Sequence, residues 1–275
     1  MLKLIATDMD GTLLNSNKEM PERTFEMIDE LHSKGITFAV ASGRQYQSLL
    51  RLYEGMTDKI VVIAENGGII LDQGEMIFND IMDPSAVREI TETVSQIPGL
   101  LITICGLKSA YMFEENVMQY LTFELAHGYF PVRTIIKSLD EIPVDEQIVK
   151  FAIFDTANNA KVNIYENLKH LEGKYQIAVS GAEWTDVMNA GINKGLAIQK
   201  LQERLGASKE ETMVFGDERN DYEMMEQAYY SYAMANAVPA IKEVANFMAP
   251  SHDEQGVICV LENFLSMTKE MDVKT

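Results

Sequence analysis

The chain has 275 residues, nearly half of them apolar, and carries 42 acidic against 23 basic side chains for a net charge of -19. That size builds a full core with room for two domains, while the charge repels nucleic acid and anionic membrane surfaces, so neither is an expected partner. Cys105 and Cys259 lack disulfide or zinc spacing, Asp8 and Asp10 interrupt the only early apolar stretch, and no run reaches membrane-span length, which together predict a cytoplasmic enzyme.

The first predicted element is a strand over 2–7, running into DMDGTLL from Asp8 to Leu14. Residues two apart in extended chain face the same side, so Asp8 and Asp10 converge on one reacting group while Gly11 lets the backbone turn. A calcium loop counted from Asp8 fails, because the required glycine falls on Leu13 and the entering element is a strand. A helix is predicted over 22–34, with Phe25, Ile28 and Leu31 as its apolar positions and Gly35 closing it. Strands follow at 37–41, ending in Ser42-Gly43-Arg44, and at 60–64, ending in Glu65-Asn66-Gly67-Gly68. This alternation predicts a parallel α/β sheet, whose ligands bind beyond the carboxyl ends of its strands.

From about 82 to 187 the pattern changes. Adjacent strands at 100–105 and 110–113 predict a hairpin, followed by a helix near 115–127, a strand at 148–154, a helix near 158–171 and a strand pair at 175–180 and 183–187. These read as an inserted α+β domain over 83–187, with residues 1–82 and 188–275 forming the discontinuous first domain and with Pro84 and Gly191 as hinges. A helix over 195–205 and a strand over 212–216, ending at Asp217, return the chain to the first sheet.

Four separated pieces thus line up at strand ends: DMDGTLL, ASGR at 41–44, GINKG around Lys194 and GDERND at 216–221. In this order and spacing they resemble the haloacid dehalogenase-like superfamily of phosphohydrolases, and more closely its Cof-type members with a large class IIB-like cap. ENGG at 65–68, AMANA at 233–237 and SHDEQGV at 251–257 extend the resemblance over essentially the whole chain. Ala235 and His252 depart from the family's AMGNA and SNDEDGV segments. The implied fold is a Rossmann-like, doubly wound parallel sheet with an inserted α+β cap.

The resemblance implies that Asp8 is a nucleophile forming an aspartyl-phosphate and that Asp10 protonates the leaving oxygen and then activates water. It makes Asp8, Asp217 and the main-chain carbonyl of Asp10 ligands of Mg2+, an ion suited to hard oxygen donors. Lys194 screens Asp8 from the phosphoryl group, and Asp221 stands behind to orient it. Met9, Ser42, Gly43 and Asn220 join Lys194 in binding phosphate. Read by themselves, Ser42 is more often an ordinary helix cap, Lys194 a solvated lysine, and Asn220 with Asp221 a plain acidic turn. Arg44 faces substrate or makes a structural ion pair.

The expected function is a magnesium-dependent phosphatase of small phosphorylated metabolites, sugar phosphates first and phosphorylated cofactors second. The alternatives are a phosphotransferase or phosphomutase, for which the cap lacks clustered arginines, and a regulator that binds a phosphometabolite without turnover. Substrate choice is expected in the cap, where Met112, Asn116, Tyr120, Tyr129 and Trp184, with Asp186 and Asn189 before GINKG, are unassigned candidates.

Overall fold

The computed structural model describes residues 2–117 and 128–272. Its elements in chain order begin with β1 (Leu4–Asp8), α1 (Thr24–Ser33), β2 (Thr37–Ala41), α2 (Tyr46–Leu52), β3 (Ile60–Ala64), β4 (Ile69–Asp72), β5 (Glu75–Asn79) and α3 (Pro84–Ser95). Next come β6 (Leu100–Gly106), β7 (Ala110–Phe113), β8 (Arg133–Ile136), β9 (Ile148–Asp155), β10 (Tyr175–Val179) and β11 (Trp184–Asn189). The helix Lys194–Leu205, β12 (Thr212–Gly216), β13 (Tyr230–Met234), β14 (Phe247–Ala249) and the helix Gly256–Asp272 complete the chain.

The chain divides into two compact units, Met1–Ser42 with Gly55–Val61 and Lys194–Thr275, and Gly43–Glu54 with Val62–Asn193. In the first, the strand order is β14-β13-β12-β1-β2, every pair parallel. β1 lies inside this sheet and all five of its residues are buried, as expected for a parallel strand covered on both faces. Asp8 pairs in register with Ala41, and Thr7 with Phe215. The carboxyl ends of β1, β2 and β12 therefore finish level, which brings Asp8, Ser42 and Asp217 to one edge.

The helix expected over 22–34 forms as α1, with a different buried stripe. Thr24, Met27, Ile28 and Leu31 face inward while Phe25 is 38% exposed; the i, i+3, i+4, i+7 stripe of a 3.6-residue helix does not take in Phe25. Gly35 closes the helix at φ 71, its N–H donating to His32 O at 2.9 Å and that of Ile36 to Leu31 O at 3.0 Å, the paired bonds of a Schellman motif.

The second unit contains a mixed six-stranded sheet ordered β10-β11-β9-β6-β7-β8. The expected β6–β7 hairpin is present, antiparallel with Thr103 opposite Met112. Its core packs Ile90 of α3 with Ile104, Phe151, Ile153 and Val187 of the sheet. Among the elements that escaped the sequence reading are β8, in which only Ile136 is buried, and β5, exposed along most of its length, neither of which shows the alternation of a half-buried strand. β5 pairs with β4 across a turn carried by Gln73 at φ 52 and Gly74 at φ 81.

The helix expected over 158–171 is broken into a π turn at Lys161–Tyr165, a helical turn at Glu166–Leu168 and a 3-10 turn at Lys169–Leu171. Asp155 explains its irregular start, accepting hydrogen bonds from Asn159 N and Asn163 Nδ2, both at 2.8 Å. Of the helix expected at 115–127, a 3-10 turn over Glu114–Asn116 is described; Tyr120 and the rest of 118–127 lie outside the described residues. Pro84 is the first residue of α3, whose N-cap Asp83 accepts from Ser85 N at 2.8 Å, the position where a missing N–H costs nothing. Residues 43–54 group with the second unit because Gln45, Tyr46 and Ser48 donate to the carbonyls of Val132, Leu107 and Gly128, each at 2.9 Å. No described helix is long and apolar enough to cross a membrane.

Candidate active site

Three carboxylates gather at the carboxyl edge of the first unit's sheet. Asp8, Asp217 and Asp221 each offer an oxygen within 4.8 Å of the others. Lys194, fully buried at the start of its helix, donates to Asp8 Oδ1 at 2.5 Å and to Asp221 Oδ1 at 2.6 Å. The solvated-lysine alternative is therefore excluded. Asp221 spends its second oxygen on the main chain, accepting from Asp217 N at 2.9 Å and Glu218 N at 3.1 Å. That fold-back needs Gly216, since a Cβ there would sit 2.6 Å from the Asp221 carboxyl. Thr12 Oγ1 donates to Asp217 Oδ1 at 2.7 Å, leaving Asp8 Oδ2 and Asp217 Oδ2 without a hydrogen bond among the described residues.

The electrostatics are unbalanced. Burial, only partly offset by Lys194, pushes the Asp8 carboxyl up to about 7. Burial together with the neighbouring Asp8 and Asp221 pushes Asp217 up to about 8. Burial alone would lower the Lys194 ammonium, but Asp221 and Asp8 outweigh it and hold it above its ordinary value. Three carboxylates against one ammonium leave a formal excess of two negative charges, which a divalent cation bound to hard oxygens would neutralise. Asp8 and Asp217 have oxygens open for it, whereas both Asp221 oxygens are engaged.

Asp10 stands apart from the three-carboxylate cluster. Its Oδ1 pairs with Lys18 Nζ at 2.9 Å, both side chains partly exposed. Gly11, at φ 85, makes the turn between Asp10 and Thr12, and the N–H groups of Leu13 and Leu14 both donate to Met9 O. Met9 and Ser42 are buried and Asn220 is half-buried in the 3-10 turn Arg219–Asp221. In the second unit, Gly43 lies beside Asn66 and Asp186, and the Arg44 guanidinium lies 4.7 Å from the centre of the Tyr129 ring.

Sequence reasoning missed Thr12 and Lys18. Thr12 stood inside DMDGTLL, where a hydroxyl four residues from the leading Asp was the available signal. Lys18, at φ 63, is carried by a turn in which Asn15 Oδ1 accepts from Asn17 N and Glu19 N at 2.9 Å; an Asn before a polar cluster is a turn signal, but nothing in it points to Asp10. The two departing segments support this same loop. Asn236 Nδ2 donates to Gly11 O at 2.8 Å, Asp253 accepts from Ser16 N and Oγ at 2.8 and 2.7 Å, and His252 Nε2 lies 3.1 Å from Ser16 Oγ.

This arrangement at parallel strand ends agrees with a family match: residues 5–261 match the haloacid dehalogenase-like hydrolases. The chain belongs to that family. A 5-amino-6-(5-phospho-D-ribitylamino)uracil phosphatase of Escherichia coli K12 is 30% identical over 98% of this chain and 99% of its own length. A protein of Streptococcus mutans UA159 has a crystal structure of TM-score 0.89, at 29% identity, covering 97% of this chain and all of that one. A subclass IIB sugar phosphatase, at 23% identity and TM-score 0.79, shares the fold. This haloacid dehalogenase-like hydrolase is accordingly a Cof-type phosphatase acting on small phosphorylated metabolites, with an α/β fold in which a mainly parallel core sheet is joined by a mixed sheet forming an inserted cap.

The cap candidates separate by burial. Met112 is buried in β7. Trp184 packs against Tyr129, Phe130 and Phe154 with ring centres 4.9 to 6.1 Å apart. Asn116 is half-buried. Asn189 Nδ2 donates to Asp80 Oδ2 at 2.6 Å and Ile81 O at 3.0 Å, and Asp186 lies in a buried ion pair with Lys150.

Proposed function

We propose that the protein is a magnesium-dependent phosphomonoesterase working through an aspartyl-phosphate on Asp8. The observation carrying this reading is Lys194 fixed between Asp8 and Asp221, beside the open oxygens of Asp8 and Asp217. Asp8 attacks phosphorus and the bond to the ester oxygen breaks. Asp10 gives that oxygen a proton, then takes one from the water that attacks phosphorus, so that phosphate leaves and the Asp8 carboxylate is restored.

Lys194 lowers the repulsion between Asp8 and the phosphoryl oxygens, and Asp221 keeps the ammonium in place. Ser42, the main-chain amides at Met9 and Gly43, and Asn220 receive phosphoryl oxygens, which are bound well by amides at strand-to-helix turns. Asp8, Asp217 and the Asp10 carbonyl would hold Mg2+, which would supply charge neutralisation for the nucleophile and the phosphoryl group together. Residues 83–187 form the cap and carry discrimination among leaving groups.

For the substrate, the relatives' names favour a phosphorylated polyol on a nitrogen heterocycle. Besides the E. coli relative, two Bacillus subtilis proteins at 25% and 28% identity are named for dephosphorylating 5-amino-6-(5-phospho-D-ribitylamino)uracil. Hydrolysis of a panel containing this compound, flavin mononucleotide, pyridoxal phosphate and hexose phosphates, with magnesium and with chelator, tests the reading. Expected is magnesium-dependent phosphate release with the ribityl compound preferred; full turnover in chelator overturns the metal assignment. Net retention of configuration at phosphorus with a chiral phosphoryl substrate is expected for two displacements, and inversion would mean direct attack by water.

A further inference from the structure

The turn Glu65–Gly67 has a conformation that the proposed chemistry does not account for. Glu65, Asn66 and Gly67 all have left-handed φ, at 51, 54 and 98. Two are not glycine, and such backbone persists only where its surroundings over-determine it. What surrounds it is a second buried charge cluster.

Lys150, 1% exposed on β9, has its ammonium 2.9 Å from Glu65 Oε2, 3.1 Å from Asp186 Oδ1 and 2.5 Å from the carbonyl oxygen of Gly43. The Gly43 carbonyl accepts a hydrogen bond from this ammonium, while Glu65 and Asp186 meet it as ion pairs. Asn66 Nδ2 donates to Asp186 Oδ2 at 2.5 Å, and Glu65 N donates to Arg44 O at 3.2 Å. Both carbonyls of the 43–44 segment are fastened. A Cβ on Gly43 would lie 3.1 Å from Asp186 Oδ2 and 3.2 Å from Asn66 Nδ2, so the segment rests closely on the same side chains.

We propose that Lys150, gripped by Glu65 and Asp186, is a positioning residue for the Gly43 turn and thereby sets the affinity for the phosphoryl group. The inference rests on the reading above, in which the Gly43 amide receives phosphate. Burying an ammonium and two carboxylates costs several kcal/mol per ion before pairing, and apolar side chains of similar volume would fill the space as well. What the charged cluster supplies, and an apolar one would not, is a donor to a main-chain carbonyl. Gly43 is the residue whose torsions link that carbonyl to the amide on its other side, and without a side chain it is the freest joint available. Holding its carbonyl from one side and packing it from the other restrains both.

The test compares the full chain with Lys150→Met and with Lys150→Met/Glu65→Gln, measuring hydrolysis of an aryl phosphate, the inhibition constant of inorganic phosphate and the magnesium activation constant. The double variant removes one cation and one anion, so the cluster keeps its formal charge while losing the donor to Gly43. The expected result is a rise of about tenfold in KM and in the phosphate inhibition constant, with the magnesium constant within about twofold and melting still cooperative. An unchanged phosphate constant in a folded variant overturns the proposal. So does an equal rise in both constants, or loss of folding in both variants, each meaning a purely structural role. A wild-type protein that neither hydrolyses the aryl phosphate nor binds phosphate instead brings down the underlying reading, and the inference with it.

Discussion

Two buried lysines occupy closely similar electrostatic settings and do different things. Lys194 in the first unit and Lys150 in the second are both essentially inaccessible, and each sits between two carboxylates. In each cluster burial dominates: it pushes Glu65 up to about 7 against the pull of Lys150, as it raises Asp8 and Asp217 against that of Lys194. The difference is in the remaining partners. Around Lys194, Asp8 and Asp217 keep oxygens open to something further. Around Lys150, the third partner is a main-chain carbonyl, and the Glu65 oxygens, which lack a hydrogen bond, are sealed in the interior. Neither a buried ammonium nor a sealed acceptor beside it is thus a sign of reactivity; acceptors at the partly exposed edge that carries Asp217 are.

The largest test of that distinction is Asp8→Asn, which removes an open oxygen and the nucleophile. Turnover should fall below about one thousandth of wild type in an aryl phosphate assay, as for the loss of other covalent nucleophiles. Retained activity would break the assignment of the first cluster as the reactive one.

Next comes Lys194→Met, which leaves three buried carboxylates uncompensated. In chelator it should cost about 3–5 kcal/mol of stability, the scale for breaking a buried pair. Magnesium should recover part of that in urea titrations, while kcat/KM stays about a hundredfold or more below wild type. Equal destabilisation with and without magnesium would mean that no cation joins this cluster.

The pH dependence separates the clusters without touching catalysis. Carboxyls raised in the folded state hold protons that the unfolded chain has already released, so their contribution to stability is greatest near pH 4 and is lost as pH rises through about 7 to 8. Stability in chelator should therefore fall across that window. Magnesium should flatten the part due to Asp8 and Asp217, and Glu65→Gln should flatten a part that magnesium leaves alone. Urea midpoints at pH 5, 6.5 and 8 read this directly, and a chelated protein growing more stable with pH would contradict it.

The smallest expected effect belongs to Thr12→Val, which removes the hydroxyl oriented on Asp217. The magnesium activation constant should rise by about three- to tenfold with little change in folding, on the scale of one ordinary hydrogen bond. No change would mean that Asp217 is held well enough without it.

Much of the first unit was legible because its signals are local. β2 and β12 fall where apolar runs end in polar or small residues, since a strand buried on both faces leaves a continuous apolar run. α1 was found from its periodicity with Ile28 and Leu31 correctly inward, but Phe25 was misplaced, as three-residue spacing approximates a 3.6-residue period only briefly. β5 and β8 were missed because exposed strands carry no alternation. Asp8 and Asp10 announced themselves by spacing. Lys194 did so only through resemblance to a family, since GINKG alone reads as well as a helix start in water.

By itself the sequence determined the parallel α/β sheet, the change to an inserted α+β pattern and the carboxylate pair beyond the first strand, because each follows from residues within one element or one turn. Only the tertiary structure decided that Thr12 holds Asp217, that Lys18 pairs with Asp10, and that Lys150 reaches across 107 residues of chain to the Gly43 carbonyl. A side chain's partner depends on which strands end side by side, and spacing along a chain carries no record of that.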